Sequence, residues 1–187
     1  MTMYVHEMTR MFRQVMDALS KPGVINAVDG IAHQTTYHNT MYLLLQTLLD
    51  NEVTFHLLDG QQGDIDEIKM LMNCRHTSIG EADYIIMKQH EIEYTERLTA
   101  SRCGTYADPE QSATWIIQLD DFTSGDVYQL TGPGIQTHTN VTLPGVKELL
   151  SVRHQLCQSF PLGVELIFVT DTQVMCIPRT TVVKEVE

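Results

Sequence analysis

Two apolar runs near the end of the chain, separated by a short polar turn, give the clearest structural signal in the sequence. Residues 164–169 are followed by Thr170-Asp171-Thr172 and then by the second run, residues 174–177. Short β-branched runs bounded by turn residues are typical of strands, and their near-continuous apolarity indicates burial on both faces. We therefore predict an antiparallel pair at the centre of a sheet. Pro178 cannot donate a ladder hydrogen bond, so the second strand should end there and leave Arg179 at the surface.

Three stretches in the first half of the chain predict helices. At the start of the chain, apolar residues recur at steps of three and four as far as Leu19, and Ser20-Lys21-Pro22-Gly23 predicts the end of that helix. Residues 41–49 are apolar almost all round, which predicts a helix packed on both sides. Asp64, with Glu67 three positions later, predicts a capping box at the start of a third helix.

Further apolar and β-branched runs predict strands at residues 24–28, 53–58, 84–87, 113–119 and 127–131. The polar stretch 120–126 separates the last two, which predicts that they form a hairpin. Helices are predicted at about residues 91–98 and from Pro144, a good first-turn residue, to about Ser159. Strands that alternate with helices and are then followed by hairpins predict an α/β fold with a mixed sheet. The length favours one domain over residues 1–187.

The charge balance restricts the kind of partner. The chain has 24 aspartates and glutamates against 12 lysines and arginines, a formal charge of −12. Nucleic acid and anionic membranes select for basic residues, so we expect neither as the main partner. The four cysteines are scattered without a Cys-x-x-Cys pair, which indicates reduced thiols. The N-terminus lacks a signal-peptide pattern and no apolar run is long enough to span a membrane, so we expect a soluble, cytoplasmic protein.

Two stretches are candidates for contact with an anion or a partner. Thr131-Gly132-Pro133-Gly134 follows a predicted strand, where glycine-rich turns can present backbone N–H groups to phosphate. Pro133 removes one such donor, and a tight turn that needs glycine dihedrals is the favoured interpretation. Arg179 with Thr180 and Thr181 could form a fork-like anion site. An exit turn with an arginine that faces a partner is the favoured interpretation there.

No catalytic, cofactor or metal site is predicted. The eight histidines show neither His-x-x-x-His nor His-Glu-x-x-His spacing, and there is no Gly-x-Ser-x-Gly motif. His56 lies inside a predicted strand, where a half-buried, hydrogen-bonded role is the favoured interpretation. Glu165 is the one carboxylate in an apolar strand, and we expect it to cap a turn or to pair with an arginine.

Several motifs, taken in order, resemble the PhnH family, a subunit of the bacterial carbon–phosphorus lyase system for phosphonate use. The last two motifs, at their spacing, are the most specific, and the resemblance extends over about residues 8–183. The motifs are Phe12-Arg13, Ala18-Leu19-Ser20-Lys21-Pro22-Gly23, Leu43-Leu44-Leu45-Gln46-Thr47-Leu48-Leu49-Asp50, Leu130-Thr131-Gly132-Pro133-Gly134-Ile135, Phe160-Pro161-Leu162-Gly163-Val164-Glu165-Leu166 and Ile177-Pro178-Arg179-Thr180-Thr181.

The resemblance implies a three-layer αβα sandwich related to pyridoxal-phosphate-dependent transferases but without the cofactor. It also implies a homodimer when the subunit is isolated, and assembly with PhnG, PhnI and PhnJ into a core complex. With those partners, the family takes part in forming ribose 1-methylphosphonate 5-triphosphate from ATP and a phosphonate. Cleavage of the carbon–phosphorus bond is implied to belong to PhnJ and its iron–sulfur cluster.

Two functional hypotheses follow. The favoured one is a non-catalytic subunit of the carbon–phosphorus lyase core complex, held by an apolar interface, that positions or stabilises catalytic subunits. The alternative is a stand-alone nucleotide- or phosphonate-binding enzyme that uses the loop 131–134 together with Arg179.

Overall fold

The computed structural model describes residues 2–29 and 37–186 of the chain. Within these ranges lie four α-helices, one 3-10 helix and ten strands. The helices are α1 (Thr2–Ser20), α2 (Asn39–Leu48), α3 (Gln62–Met72), the 3-10 helix (Gln89–Ala100) and α4 (Lys147–Leu156). The strands are β1 (Asn26–Ala27), β2 (Thr54–Leu57), β3 (Arg75–His76), β4 (Tyr84–Lys88), β5 (Thr114–Gln118), β6 (Asp126–Thr131), β7 (Thr139–Leu143), β8 (Glu165–Val169), β9 (Gln173–Ile177) and β10 (Val182–Glu185).

Seven strands form one large mixed sheet in the order β1-β9-β8-β5-β4-β2-β3. Strands β2, β3, β4, β5 and β8 pair in parallel, whereas β9 runs antiparallel to both of its neighbours. A second sheet of three antiparallel strands has the order β10-β6-β7. The predicted α/β class with a mixed sheet is therefore confirmed, while the second sheet was not predicted.

The large sheet is buried on both faces. Residues of α1, α2 and α3 pack on one face, and the 3-10 helix, α4 and the three-stranded sheet pack on the other. Side chains that alternate along β8 divide between the two cores: Leu166 and Phe168 lie in one, and Ile167 and Val169 in the other. This alternation explains why the strand reads as a continuous apolar run, because neither face meets water. The predicted antiparallel pair β8–β9 is confirmed, with Leu166 opposite Ile177.

Two predictions about the sheet are wrong. The middle strand is β5 rather than β8 or β9, and β9 lies next to the edge strand β1. The predicted hairpin of residues 113–119 with 127–131 does not form, since β5 pairs in parallel with β4 and β8. Strand β6 instead joins β7 and β10 in the second sheet. The polar stretch between β5 and β6 carries the chain from one sheet to the other, and a turn-rich stretch alone does not distinguish these outcomes.

Several predicted element ends also differ. Asp64 lies inside the first turn of α3, whose N-cap residue is Gln61, and no side chain caps that end. Helix α4 begins at Lys147 and not at Pro144. Of the predicted strand 24–28, only β1 pairs with a neighbour. None of the helices in the described ranges is both long and apolar enough to cross a membrane.

Candidate functional site

The two candidate stretches, far apart in sequence, lie side by side. Thr131, the last residue of β6, pairs with Val182, the first residue of β10. The turn that precedes β10 contains Arg179 and Thr180, and a Cβ atom on Gly132 would lie 2.9 Å from the backbone oxygen of Thr180. Pairing of β6 with β10 therefore brings the two candidate stretches together.

Glycine is required in the loop 131–134 because of the backbone itself. Gly132 has a φ of +139° and Gly134 a φ of +82°, values that side-chain-bearing residues rarely adopt. A Cβ atom on Gly134 would lie 2.3 Å from the backbone oxygen of Ser20 at the end of α1. The prediction of a tight turn that needs glycine dihedrals is confirmed. Contact of this loop with an anion stays a prediction.

Arg179 is a half-buried residue whose side chain is largely engaged with the protein, rather than the surface arginine that was expected. The side chain is 15% exposed, and its Nε donates to Glu165. Its Nη1 donates to the carbonyl oxygens of Pro109 at 2.7 Å and Pro161 at 3.0 Å, and its Nη2 to the hydroxyl of Ser112 at 2.5 Å. Arg179 follows β9 while Glu165 begins the neighbouring strand β8, so the pairing gives the carboxylate inside an apolar strand the cation it needs.

Glu165 occupies both of its carboxylate oxygens with Arg179. One oxygen accepts from the Arg179 side chain, and the other accepts from the Arg179 backbone N–H at 2.7 Å. The predicted pairing of Glu165 with an arginine is confirmed. The prediction for His56 is confirmed in part: it is half-buried and its Nδ1 lies 2.9 Å from the carbonyl oxygen of Thr77, but its buried Nε2 has no hydrogen-bond partner among the described residues.

A cavity of about 550 Å³ opens beside these turns, between α4 and the start of β10. Its lining includes four residues of the candidate stretches, Pro133, Arg179, Thr180 and Thr181, together with Arg153 and His154 of α4. The other lining residues are Cys157, Gln158, Phe160, Leu162, Val182 and Val183. None of the described residues that line this cavity is acidic, although acidic residues outnumber basic ones two to one in the chain.

Arg153 is the functional candidate that sequence reasoning missed. It is 3% exposed, and its Nη2 donates to the carbonyl oxygens of Pro178 at 2.5 Å and Thr181 at 3.0 Å. Its Nε is buried without a hydrogen-bond partner, and so is the hydroxyl oxygen of Thr181. Burial lowers the pKa of Arg153, since the interior disfavours its charge. The available signal was its position on the buried face of α4 with Leu149 and Leu150.

A larger cavity of about 650 Å³ lies between the 3-10 helix and α4. Its lining contains Glu96 and Glu148 beside His90 and Ser151. Among the described residues that line it, none has a buried polar side-chain atom without a partner. No unmet hydrogen-bonding capacity therefore indicates a ligand in the described lining of this cavity.

Comparison with known proteins decides the family. The family model described as bacterial phosphonate metabolism protein (PhnH) matches residues 1–184. The chain belongs to the PhnH family. The putative C-P lyase subunit protein HtxG of Stutzerimonas stutzeri is 32% identical over 177 residues, which cover 91% of this chain and 82% of that protein. The alpha-D-ribose 1-methylphosphonate 5-triphosphate synthase subunit PhnH of Rhizobium meliloti (strain 1021) is 22% identical, over 95% of this chain and 90% of that protein.

The motifs that carried the PhnH resemblance contact one another in the fold. The Phe160–Pro161 peptide is cis, and the Pro161 carbonyl accepts from Arg179. Gly163 has a φ of +143°, and a Cβ atom there would lie 2.7 Å from Sγ of Cys157 and 3.2 Å from Cβ of Arg179. These PhnH-type residues thus build the junction of β8, β9 and the end of α4, which forms one wall of the 550 Å³ cavity.

Proposed function

We propose that this chain is a non-catalytic subunit of a carbon–phosphorus lyase core complex that acts in phosphonate catabolism. In this role it assembles with PhnG, PhnI and PhnJ, which form ribose 1-methylphosphonate 5-triphosphate from ATP and a phosphonate. The observation that carries the proposal is the PhnH family match over residues 1–184, joined by two relatives whose names call them subunits.

Exposed apolar side chains on α1 support a role in assembly. Val5, Phe12 and Met16 are 52%, 50% and 51% exposed. At about 100° per residue, they lie within about 40° of one another around the helix axis, so they form one stripe. We call Val5, Phe12 and Met16 the α1 stripe. Exposed apolar side chains that share one side of a helix are typical of contacts between chains.

The site geometry supports a non-catalytic role as well. The most strongly bonded charged pair, Glu165 with Arg179, holds three turns together through Pro109, Pro161 and Ser112. Its carboxylate and its guanidinium nitrogens are engaged with protein atoms, which suits a structural role better than proton transfer or nucleophilic attack. A homodimer of the isolated chain, and a relation of its fold to pyridoxal-phosphate-dependent transferases, belong to the same proposal.

Copurification tests the proposal. The tagged chain is co-expressed with PhnG, PhnI and PhnJ from the same organism, and the proteins retained after stringent washing are identified by mass spectrometry. We expect all three to be retained, and the complex to form the ribose triphosphate product that the isolated chain does not form. A tagged chain that is folded but retains none of them contradicts the proposal. So does turnover of ATP with methylphosphonate by the purified chain alone.

The cavity beside the loop 131–134 favours a second candidate, a stand-alone nucleotide- or phosphonate-binding enzyme. The difficulty for this candidate is Arg179, whose side-chain nitrogens already donate to protein acceptors. Calorimetric titration of the isolated chain with ATP separates the candidates. Heat of binding that disappears in Arg179→Ala, with catalytic turnover of the bound nucleotide, would favour the enzyme.

A further inference from the structure

Strand β10 lies at one end of the three-stranded sheet, so only one of its two edges is paired among the described residues. On the paired edge, the N–H of Val186 donates to the carbonyl oxygen of Val127 at 2.9 Å. Backbone groups alternate between the two edges of an antiparallel strand, so the even-numbered residues of 182–186 face β6. Val183 and Glu185 therefore direct their N–H and C=O groups away from the sheet, where no described residue hydrogen-bonds to them.

This free edge of β10 is open to solvent. Val182 is 49% exposed and Val186 is 42% exposed, and the side chain of Lys184 is exposed as well. Proteins commonly protect an edge strand with proline, a bulge or a covering loop, because its unpaired backbone groups can pair with another strand. Residues 182–185 contain no proline, and they pair with β6 in an unbroken register. The partner that satisfies such an edge is an extended backbone.

A groove runs beside the free edge, between β10 and α4. The 550 Å³ cavity and a second cavity of about 240 Å³ share Arg153, His154 and Val183 in their linings, so the two are neighbours along α4. We call these two cavities the α4 groove. Glu185 lies in its lining too, 2.9 Å from the ammonium nitrogen of Lys147 at the start of α4. Side chains alternate between the faces of a sheet, so a strand added to β10 would place every second side chain in the α4 groove.

We propose that the free edge of β10 binds an extended segment of another subunit of the complex, which joins the small sheet as a fourth strand. The backbone of the segment exchanges hydrogen bonds with Val183 and Glu185, while alternate side chains enter the α4 groove. Strand addition at a sheet edge takes its affinity from main-chain bonds and its specificity from pockets for alternate side chains. The inference rests on the proposed function as a subunit, and it concerns a surface separate from the α1 stripe.

The lining of the α4 groove defines the side chains that the segment carries. Phe160, which is 73% exposed, and Leu162 line the larger cavity, so apolar side chains pack there. The only acidic residue in the described lining is Glu185, which pairs with Lys147. Four residues of the described lining are basic, although the protein has a formal charge of −12: Lys147, Arg153, His154 and Arg179. Complementary charge therefore favours an apolar segment with carboxylates over one with lysines or arginines.

Hydrogen exchange resolved by residue tests the proposal on the wild-type chain, isolated and in the copurified complex with PhnG, PhnI and PhnJ. In the isolated chain, the amides of Val183 and Glu185 should exchange fast, because they face away from β6. In the complex, the same two amides should exchange about tenfold more slowly or less. The amide of Lys184, which faces β6, is the internal reference and should be protected in both states. This alternation distinguishes an added strand from a surface that merely covers β10.

Glu185→Pro tests the edge by substitution. Proline removes an N–H that faces away from β6, so the ladder with β6 and the urea midpoint should be nearly unchanged. A carbonyl oxygen of the segment then lacks its donor, and we expect about tenfold less of the partner subunits to be retained. Glu185→Gln is the matched control, since it loses the ion pair with Lys147 but keeps the N–H. Asn140→Pro is the control at the opposite edge: Asn140 on β7 is exposed and pairs with Gln129, whose backbone groups face β10. Both controls should retain the partners as the wild type does.

His154→Glu tests the acidic character of the segment, because it adds a carboxylate to the α4 groove at an exposed position. Retention should fall in this variant and not in His138→Glu, an exposed position outside the described lining. Wild-type retention by Glu185→Pro, or equal exchange of the Val183 and Glu185 amides in the free chain and the complex, overturns the proposal and leaves the subunit role intact. Wild-type retention by His154→Glu overturns the acidic segment. Slow exchange of these amides in a dimer of the isolated chain also overturns the proposal, since a second copy then occupies the edge. A folded wild-type chain that retains no partner overturns both this proposal and the proposed function.

Discussion

Individual polar side chains inside this protein hold its turns together. Glu165 lies in an apolar strand and would be strongly destabilising without Arg179, which in turn anchors Pro109, Pro161 and Ser112. An isolated carboxylate there would lose water without gaining a partner. The fold therefore depends on this pair, and its removal should lower the free energy of unfolding.

Replacing Glu165 by glutamine tests this requirement. The substitution leaves the guanidinium of Arg179, whose side chain is 15% exposed, without its carboxylate. We expect the free energy of unfolding to fall by about 2–4 kcal/mol, as measured by urea denaturation. Lys21→Gln is the control, since it breaks an exposed pair with Asp17 and should move the urea midpoint little. Equal shifts in the two variants would contradict the buried role of the pair.

Asp83 provides a prediction about pH. Burial alone would raise the pKa of its carboxyl, but hydrogen bonds from the side chain and backbone of Thr54 and from Arg102 outweigh it, so the pKa is lowered from 3.8. A carboxyl with a lowered folded pKa stabilises the fold above its unfolded value, and this contribution is lost as pH falls through the folded pKa. We expect the unfolding free energy of Asp83→Asn to depend less on pH between about pH 5 and 2 than that of the wild type.

Urea midpoints measured at several pH values across this window check the prediction. Glu110→Gln is the control, because Glu110 is exposed and its substitution should leave the pH profile close to that of the wild type. An Asp83→Asn profile parallel to the wild type would show that the bonds from Thr54 and Arg102 do not stabilise the ionised carboxyl.

Among the elements, local pairings were predictable from the sequence and non-local ones were not. The β8–β9 hairpin followed from two adjacent apolar runs and a three-residue polar turn, because its pairing partners are neighbours in the chain. The partners of β5 are β4 and β8. In the chain, the 3-10 helix lies between β4 and β5, and the strands β6 and β7 lie between β5 and β8. A local sequence pattern does not show which distant strands pair in parallel. The apolarity of residues 113–119 correctly indicated a strand but did not show to which sheet it belongs.

The site was predictable to a similar degree. The glycine turn and the pairing of Glu165 with an arginine were read from local sequence, whereas the identity of that arginine and its burial depended on the packed fold. Arg153 reads as an ordinary charged residue of an amphipathic helix, and only its place beside Leu149 and Leu150 marks it as buried. The hydrogen bonds of Arg153 depend on the carbonyl oxygens of the turn 178–181, which lies outside α4, so the sequence of the helix does not reveal them.

The central position of β5 gives a prediction at the scale of the element. Ile116 and Leu166 are fully buried, on β5 and β8 respectively, and they face opposite cores. We expect Ile116→Ala and Leu166→Ala each to lower the unfolding free energy by about 2–5 kcal/mol in urea denaturation, since each leaves a cavity in a packed interior. Val182→Ala on β10, where the side chain is 49% exposed, is the control and should have a much smaller effect. A value near zero for Ile116→Ala would contradict the placement of β5 between two cores.

On the scale of the whole molecule, its two kinds of candidate surface lie on different elements. The cavity is built by α4, the turn 178–181 and the segment 157–162, whereas the α1 stripe lies on the helix that packs against the other face of the large sheet. Contacts made by the two surfaces can therefore be altered separately by substitution. This separation allows the proposed subunit role to be tested without disturbing the cavity.

Phe12→Glu is the substitution that tests the role of the α1 stripe. Phe12 is 50% exposed, so a charged side chain there can be hydrated in the isolated chain and should change its unfolding free energy little. In an apolar contact between chains the same carboxylate would be buried without a partner. We therefore expect the tagged variant to retain much less PhnG, PhnI and PhnJ than the wild type.

Tyr106→Glu is the matched control for this experiment, because Tyr106 is an exposed aromatic residue, 72% accessible, that lies outside the α1 stripe. It should retain the partner subunits as the wild type does. Wild-type retention by both Phe12→Glu and Tyr106→Glu would show that the α1 stripe is not the assembly surface, even if the chain is a subunit. Loss in both variants would show a general sensitivity of the complex to added negative charge, as a protein with a formal charge of −12 could display. Loss in Phe12→Glu alone would locate assembly on α1.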